Sequence, residues 1–246
     1  MRLFLFDIDG TLVSVRGAGR TAFARALEET YGTAGTIDRY DFRGRTDLRI
    51  VHDLMTEAGL DVERIRARVD DCFQAYVREL TKIIGDGSRV QVLPGVAEVV
   101  RRLGARPDAV VGLLTGNIEA GARIKLEPTG LWPLFRVAAY GGDDADRRRL
   151  PAIARERARA LGHDFAFDRI TIIGDTPHDV ECARGCGAVA VRNAAIARAL
   201  RTCLRSPAWA WRPTWHGSRW PERWHVWVSC AIDSCRDCLP GLMTRA

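Results

Sequence analysis

Asp7 and Asp9, in the run DIDGTL, are two carboxylates two residues apart at the end of an apolar stretch. Strand alternation places both on the same side of the chain, where they repel unless a cation or a proton separates their roles. Gly10 then permits a sharp backbone turn, and Thr11 brings a hydroxyl close to it. Taken alone, the pair also fits a surface turn with two solvated acids. A second apolar run ends in LLTGN (113–117), where Thr115 and the amides of Gly116 and Asn117 offer hydrogen bonds to an anionic oxygen. Lys125, in RIKLEPTGLW, offers a fixed positive charge. A third apolar run ends in IIGDTPHD (172–179), with Asp175 at the strand end and Asp179 four residues on, at a helix start. Carboxylate oxygens are the ligands hard cations prefer, and Mg²⁺ commonly takes one or two of them with substrate phosphate and water.

These groups need strands to aim them. The apolar runs 2–9, 108–116, 136–140, 169–175 and 188–192 predict five strands, and helical patterns at 96–103, 146–161 and 178–186 separate them. Near-continuous apolar strands alternating with helices predict an α/β fold, a doubly wound parallel sheet covered on both faces. Open sheets of this kind bind ligands at the carboxyl ends of their strands, where each acidic stretch lies. Between the first two strands the texture changes. Helices are expected at 21–30, 46–58 and 62–84, the last from Ile65, Val69, Phe73, Val77, Leu80 and Ile84. Residues 16–88 therefore read as a helical insertion above a core formed by 1–15 and 89–192.

Composition narrows the function classes. With 47% hydrophobic and 28% charged residues over 246 positions, the chain reads as an ordinary soluble globular protein. No run approaches the roughly 18 apolar residues that span a bilayer. An acid at position 7 argues against a secretory signal, so the expected location is the cytoplasm. The net charge is +6, but residues 193–246 hold 8 Arg, no Lys and 3 acids. The remainder is nearly neutral, and a nucleic-acid-binding face is not called for. Of the 37 basic residues only Lys82 and Lys125 are lysines, which draws attention to Lys125.

In this order, each at a strand end, the four stretches resemble those of the haloacid dehalogenase superfamily of hydrolases, over residues 1–192. The helical insertion resembles the α-helical cap of phosphoglycolate phosphatases and β-phosphoglucomutases. KLEPTGLW and YGGDDADR are similar to stretches of the phosphoglycolate-phosphatase-like branch. The resemblance implies that Asp7 is the nucleophile and that Asp9 protonates the leaving oxygen and later deprotonates water. It implies that Thr115 and Lys125 hold the transferring phosphoryl group, with Gly116 and Asn117 beside them. Mg²⁺ is implied on the carboxylates of Asp7 and Asp175 and the carbonyl of Asp9, with Asp179 holding metal waters or Lys125. The second acid, Asp9, is typical of phosphate-transferring members rather than dehalogenases, since a halide leaves without a proton. In the cap, FRGRTD (42–47) lies where members place a substrate-contacting loop. There Arg43 or Arg45 meets a substrate carboxylate or second phosphate; the alternative is a helix N-cap at Thr46 beside solvated arginines. The expected function is a Mg²⁺-dependent phosphomonoester hydrolase acting on a small phosphorylated metabolite. A sugar phosphomutase on the same fold and a non-catalytic product with a damaged C-terminus are the alternatives.

Residues 193–246 do not match the rest. Six of seven Trp lie between Trp209 and Trp227, among four Cys, and no helical or strand period persists. The segment is either an accessory module or a stretch read out of frame in a GC-rich gene. Cys235-x-x-Cys238 with Cys203, Cys230, His216 and His225 supplies zinc-ligand types, but only one paired element. Trp interleaved with Arg suits single-stranded nucleic acid, yet without a periodic scaffold to present it. Residues from about 195 onward are expected to lack stable packing against the core.

Overall fold

A computed structural model describes residues 1–192. The expectations for the Trp/Arg/Cys-rich segment, including its zinc ligands and its packing, lie outside the described residues. The chain runs β1 (Arg2–Phe6), β2 (Val13–Ser14), α1 (Ala18–Tyr31), α2 (Asp47–Glu57), α3 (Val62–Ile84), β3 (Gln91–Val92), α4 (Val96–Gly104) and β4 (Ala109–Leu114). It continues through α5 (Glu119–Leu126), β5 (Val137–Ala139), α6 (Leu150–Ala160), β6 (Ile170–Gly174), α7 (Pro177–Cys186) and β7 (Val189–Arg192). Five strands form one parallel sheet in the order β5-β4-β1-β6-β7. The fold is therefore the α/β, doubly wound parallel sheet that the sequence predicts.

Period-two alternation in β1 shows why both faces are covered. Leu3 and Leu5 face one way and pack with Val110, Leu114 and Ile172 against Leu150, Ala154 and Ala158 of α6 and Cys182 and Ala183 of α7. Phe4 and Phe6 face the other way, among Val99, Val100 and Leu103 of α4 and Ala122 and Leu126 of α5. Strand β1 is central, with β4 on one side and β6 on the other, so the strand order reverses beside it. That reversal opens a crevice at the carboxyl ends of β1, β4 and β6.

The helices α1, α2 and α3 lie between β2 and β3, which pair antiparallel through Val13 with Val92 and Ser14 with Gln91. The segment thus leaves and rejoins the rest of the chain at one place, a two-stranded ribbon separate from the main sheet. Its own core is aromatic and aliphatic: the Phe23 ring of α1 lies 4.3 Å from that of Tyr76 of α3. Thr46 caps α2 by accepting from the Arg49 amide, and Asp61 caps α3 by accepting from that of Arg64.

Some elements differ from expectation. Strand β1 ends at Phe6 instead of position 9, because the amides of Thr11, Leu12 and Val13 all turn back to the Ile8 carbonyl. The helix expected from 146 begins at Leu150, preceded by a 3₁₀ turn, Arg147–Arg149, that the Asp146 side chain caps. Helix α5 and the β2/β3 ribbon are absent from the sequence reading; both are short, and α5 carries no strong apolar period.

Candidate active site

Asp7 is the first residue past β1. Its amide still donates to the Ile173 carbonyl at 2.8 Å, so the β1/β6 ladder fixes where its carboxylate points. The side chain is buried. Burial raises its carboxyl, Arg147 opposes that, and Asp179, Asp9 and Asp175 add to it, leaving the group at about 7. Two residues on, Asp9 is held through a single oxygen: Oδ2 accepts from Lys125 Nζ at 2.7 Å and from Asn117 Nδ2 at 2.8 Å. Gly10 makes the turn at φ +77°, and a Cβ there would meet the Asp175 carboxylate at 2.6 Å. Only glycine supplies both the conformation and the space.

Asp175 follows β6, where Thr11 Oγ1 donates to its Oδ1 at 3.2 Å. Burial and then the neighbouring Asp179 raise its carboxyl above the ordinary range. Asp179 closes a capping box with Thr176 at the start of α7, accepting on Oδ2 from the Thr176 amide and hydroxyl. Its other oxygen accepts from Arg147 Nη2 at 2.6 Å. This corrects one expectation. Asp179 holds Arg147 and not Lys125, because α7 starts on the β6 side of Asp7 while α5 brings Lys125 to the Asp9 side.

The loop after β4 is arranged around Asn117. Thr115 is completely buried behind the loop, and its hydroxyl accepts from Asn117 Nδ2 at 2.8 Å. Lys125, itself almost wholly buried, donates to Asn117 Oδ1 at 2.6 Å. Thr115, Asn117, Lys125 and Asp9 therefore form one continuous hydrogen-bonded set. Asn117, Gly116, Lys125, Asp7, Asp9 and Asp175 line a cavity of about 330 Å³ under α1 and α3; Thr115 stands one layer back. Arg43 and Arg45 line the same cavity. Arg43 is held by Asp41 through two hydrogen bonds, at 3.0 and 3.1 Å. Arg45 has no carboxylate at ion-pair distance among the described residues.

Two residues at the site escape the sequence reading. Arg147, in the stretch DRRRL, is 7% exposed and sets Nη2 3.2 Å from Asp7 Oδ1 as well as on Asp179. Burial alone would depress its guanidinium, and the carboxylates of Asp7 and Asp179 outweigh that and raise it. Its Nε is buried without a hydrogen-bond partner, a donor left over at the cavity wall. Asp47, at the start of α2, is buried against the loop after β4. Burial raises its carboxyl to about 7, although Lys125 and the Ile118 amide pull it down.

Asp7, Asp175 and Asp179 each offer a carboxylate oxygen, all within 4.8 Å of one another. Three buried or half-buried acids so close together, with the carboxyls of Asp7 and Asp175 raised, are a set a divalent cation stabilises, and all-oxygen donors suit a hard one. The missing Cβ of Gly10 keeps the space beside Asp175 clear. The residues fit a Mg²⁺-type ion.

The model of haloacid dehalogenase-like hydrolases matches residues 1–187. The chain is similar to a phosphoglycolate phosphatase of Synechococcus elongatus, 29% identical over 199 residues, which cover 78% of this chain and 82% of that protein. It is likewise 29% identical to a probable phosphatase, IndB, of Dickeya dadantii, over 77% of this chain and 79% of the relative. Among solved structures, a hydrolase from Pseudomonas syringae superposes with a TM-score of 0.59 at 21% identity, covering 78% of this chain and 84% of that one. CbbY from Rhodobacter sphaeroides, in complex with phosphate, superposes with a TM-score of 0.55 at 20% identity, over 78% and 86%. At these identities the superpositions speak for the fold.

Proposed function

The chain belongs to the haloacid dehalogenase-like hydrolases, and from that premise we propose that it is a Mg²⁺-dependent phosphomonoester hydrolase acting on a small phosphorylated metabolite in the cytoplasm. The observation that carries this reading is the division of labour between two acids two residues apart. Asp7 lies among carboxylates beside a buried guanidinium, and Asp9 lies on the opposite side with an ammonium and an amide. This difference in surroundings supports a reading in which Asp7 meets phosphorus and Asp9 the leaving oxygen. Free thiols at Cys72, Cys182 and Cys186 suit a reducing compartment.

In the proposed reaction, Asp7 attacks phosphorus and forms an acyl phosphate as the P–O ester bond breaks. Asp9 gives its proton to the departing alcohol oxygen. It then takes a proton from water, whose oxygen attacks phosphorus, releasing phosphate and restoring the Asp7 carboxylate. Arg147 faces the phosphoryl oxygens with its spare Nε and offsets the charge they bring. Asn117 and Lys125 hold Asp9 in place. Mg²⁺, when bound by Asp7 and Asp175 with Asp179 behind them, supplies the charge neutralisation that lets an anionic nucleophile approach an anionic phosphate. The helical segment 16–88 acts as a cap that closes the cavity and excludes water. Arg45 is the cap group proposed to meet a second anionic group of the substrate, since Asp41 already occupies Arg43. The likeness to a phosphoglycolate phosphatase makes phosphoglycolate the first substrate to try.

The test is phosphate release from a panel of small monoesters, phosphoglycolate included, with and without Mg²⁺, beside Asp7→Asn. Mg²⁺-dependent turnover that Asp7→Asn abolishes is the expected result. A folded wild type that releases no phosphate, but isomerises a hexose 1-phosphate, overturns hydrolysis in favour of the mutase.

A further inference from the structure

We propose that Asp47, a cap residue, is the positioning residue for the core loop 115–118, so that seating the cap and assembling that loop are one event. The inference rests on the phosphatase reading above for what the loop is for, but its geometry is independent of it. The Asp47 amide donates to the Gly116 carbonyl at 2.7 Å, and its carboxylate Oδ2 accepts from the Ile118 amide at 2.8 Å. One residue of the cap therefore grips the core loop on both sides of Asn117. Asn117 is the residue whose side chain reaches Asp9, Thr115 and Lys125. A rotation of the Gly116–Ile118 backbone moves that side chain off Asp9.

The surrounding packing shows that the grip is one of backbone on backbone. A Cβ on Gly116 would stand 1.9 Å from the Arg45 carbonyl oxygen, and one on Gly141 would stand 1.8 Å from the Gly116 carbonyl oxygen. The cap segment at 45–47, the loop at 116 and the turn at 141 pass in direct contact, with no side chain between them to absorb a shift. Two further bonds run the same way: Thr46 Oγ1 donates to the Ala145 carbonyl at 2.9 Å, and the Leu48 amide to that of Gly141. Asp47 is the only one of these cap groups that satisfies a donor and an acceptor of the loop at once. Its carboxyl group is buried to do so, and a polar group out of water is costly unless its hydrogen bond is made, as it is here to the Ile118 amide. When the cap lifts, Ile118 loses its acceptor and Gly116 its donor together, and the loop is released with them.

The experiment uses the full chain and three variants, Asp47→Ala, Asp47→Ser and Asp47→Asn. The serine hydroxyl stops one bond short of the carboxylate oxygen, which keeps a second truncation available should alanine fail to fold. Amide hydrogen exchange at 115–118 is followed beside steady-state kinetics on the best monoester. Alanine or serine is expected to speed exchange at Ile118 by about tenfold or more, with exchange in α1 and α3 unchanged. It is expected to lower kcat by about 10- to 100-fold while KM moves less than about threefold, the mark of lost positioning and not of a lost substrate contact. Asparagine keeps an acceptor oxygen and is expected to restore both within about fivefold. Unchanged exchange at Ile118 in the truncated variants overturns the proposal, as does a rise in KM at constant kcat. If wild type hydrolyses no monoester, the phosphatase reading fails by itself, and the exchange arm still decides whether Asp47 holds the loop.

Discussion

Arg147 Nη2 lies 3.2 Å from Asp7 Oδ1, and both side chains are more than nine-tenths buried. A guanidinium is never deprotonated in such a place, so the charge beside Asp7 is permanent. The same nitrogen also holds Asp179, which ties the proposed nucleophile to the start of α7. The pair is both a chemical device and a structural one, and its removal should show in both.

Arg147→Met leaves Asp7 and Asp179 buried without their cation. We expect a loss of about 3–5 kcal/mol of stability without divalent ions, read by denaturant unfolding. Arg147→Lys keeps the charge and loses the fork. It should stay folded, lower kcat by at least about tenfold and weaken inhibition by inorganic phosphate. Inhibition by phosphate that is unchanged in Arg147→Lys argues that the guanidinium does not meet the phosphoryl group.

Lys125→Met separates positioning Asp9 from holding phosphate. The structure puts the ammonium on Asp9 and Asn117. Turnover should therefore fall by about 10- to 100-fold, while inhibition by inorganic phosphate stays within about threefold of wild type. Weakened phosphate inhibition instead returns Lys125 to the phosphoryl group, as the family resemblance implies.

Arg45→Ala and Arg43→Ala test the cap. If Arg45 meets a second anionic group, its removal raises KM for a doubly charged substrate by about tenfold or more, and barely changes KM for a monoester with a neutral leaving group. Arg43→Ala, which removes a side chain already engaged by Asp41, should leave both within about twofold. Equal effects of the two variants contradict the assignment.

Asp47 gives stability a pH dependence with a defined sign. Its carboxyl titrates at about 7 in the folded chain because burial outweighs Lys125 and the Ile118 amide. Unfolded, it titrates near 4. Between those values the folded state holds a proton that the unfolded state has released, so stability falls as pH rises through that window, by an amount on the order of 4 kcal/mol. Asp47→Asn lacks this loss. Unfolding of the two proteins measured from pH 4 to 8 should show the variant gaining on wild type up to about pH 7; parallel curves refute the buried-acid assignment.

The sheet was legible from sequence because parallel strands, covered on both faces, are written as apolar runs. The acids Asp7 and Asp175 mark where two of those runs end, and strand ends of one sheet converge in space whatever lies between them. Arg147 was not legible. It ends the stretch YGGDDADR that the resemblance marks, but as the first of three consecutive arginines in a chain with only two lysines its type alone assigns it no role. The rarity that drew attention to Lys125 led to a residue of the cavity wall, bonded to Asp9 and Asn117. Asp47 was hidden for another reason. A carboxylate in the first turn of a helix is ordinary, and only the docking of 45–48 onto loops some 70 and 95 residues away buries it.

The β2/β3 ribbon has a consequence of its own. Val13 pairs with Val92, so the 76 residues from 15 to 90 begin and end side by side. Nothing in the strand order of the sheet depends on what is spliced between them, and the entropy of closing that excursion grows only slowly with its length. The helices can be lengthened or shortened in evolution while the acids at the strand ends are kept, provided that the segment 45–48 still docks on the loops after β4 and β5. The acids of the core and the helices between 15 and 90 thus occupy separate stretches of one chain, joined covalently at a ribbon two residues wide and otherwise by the contacts of 45–48.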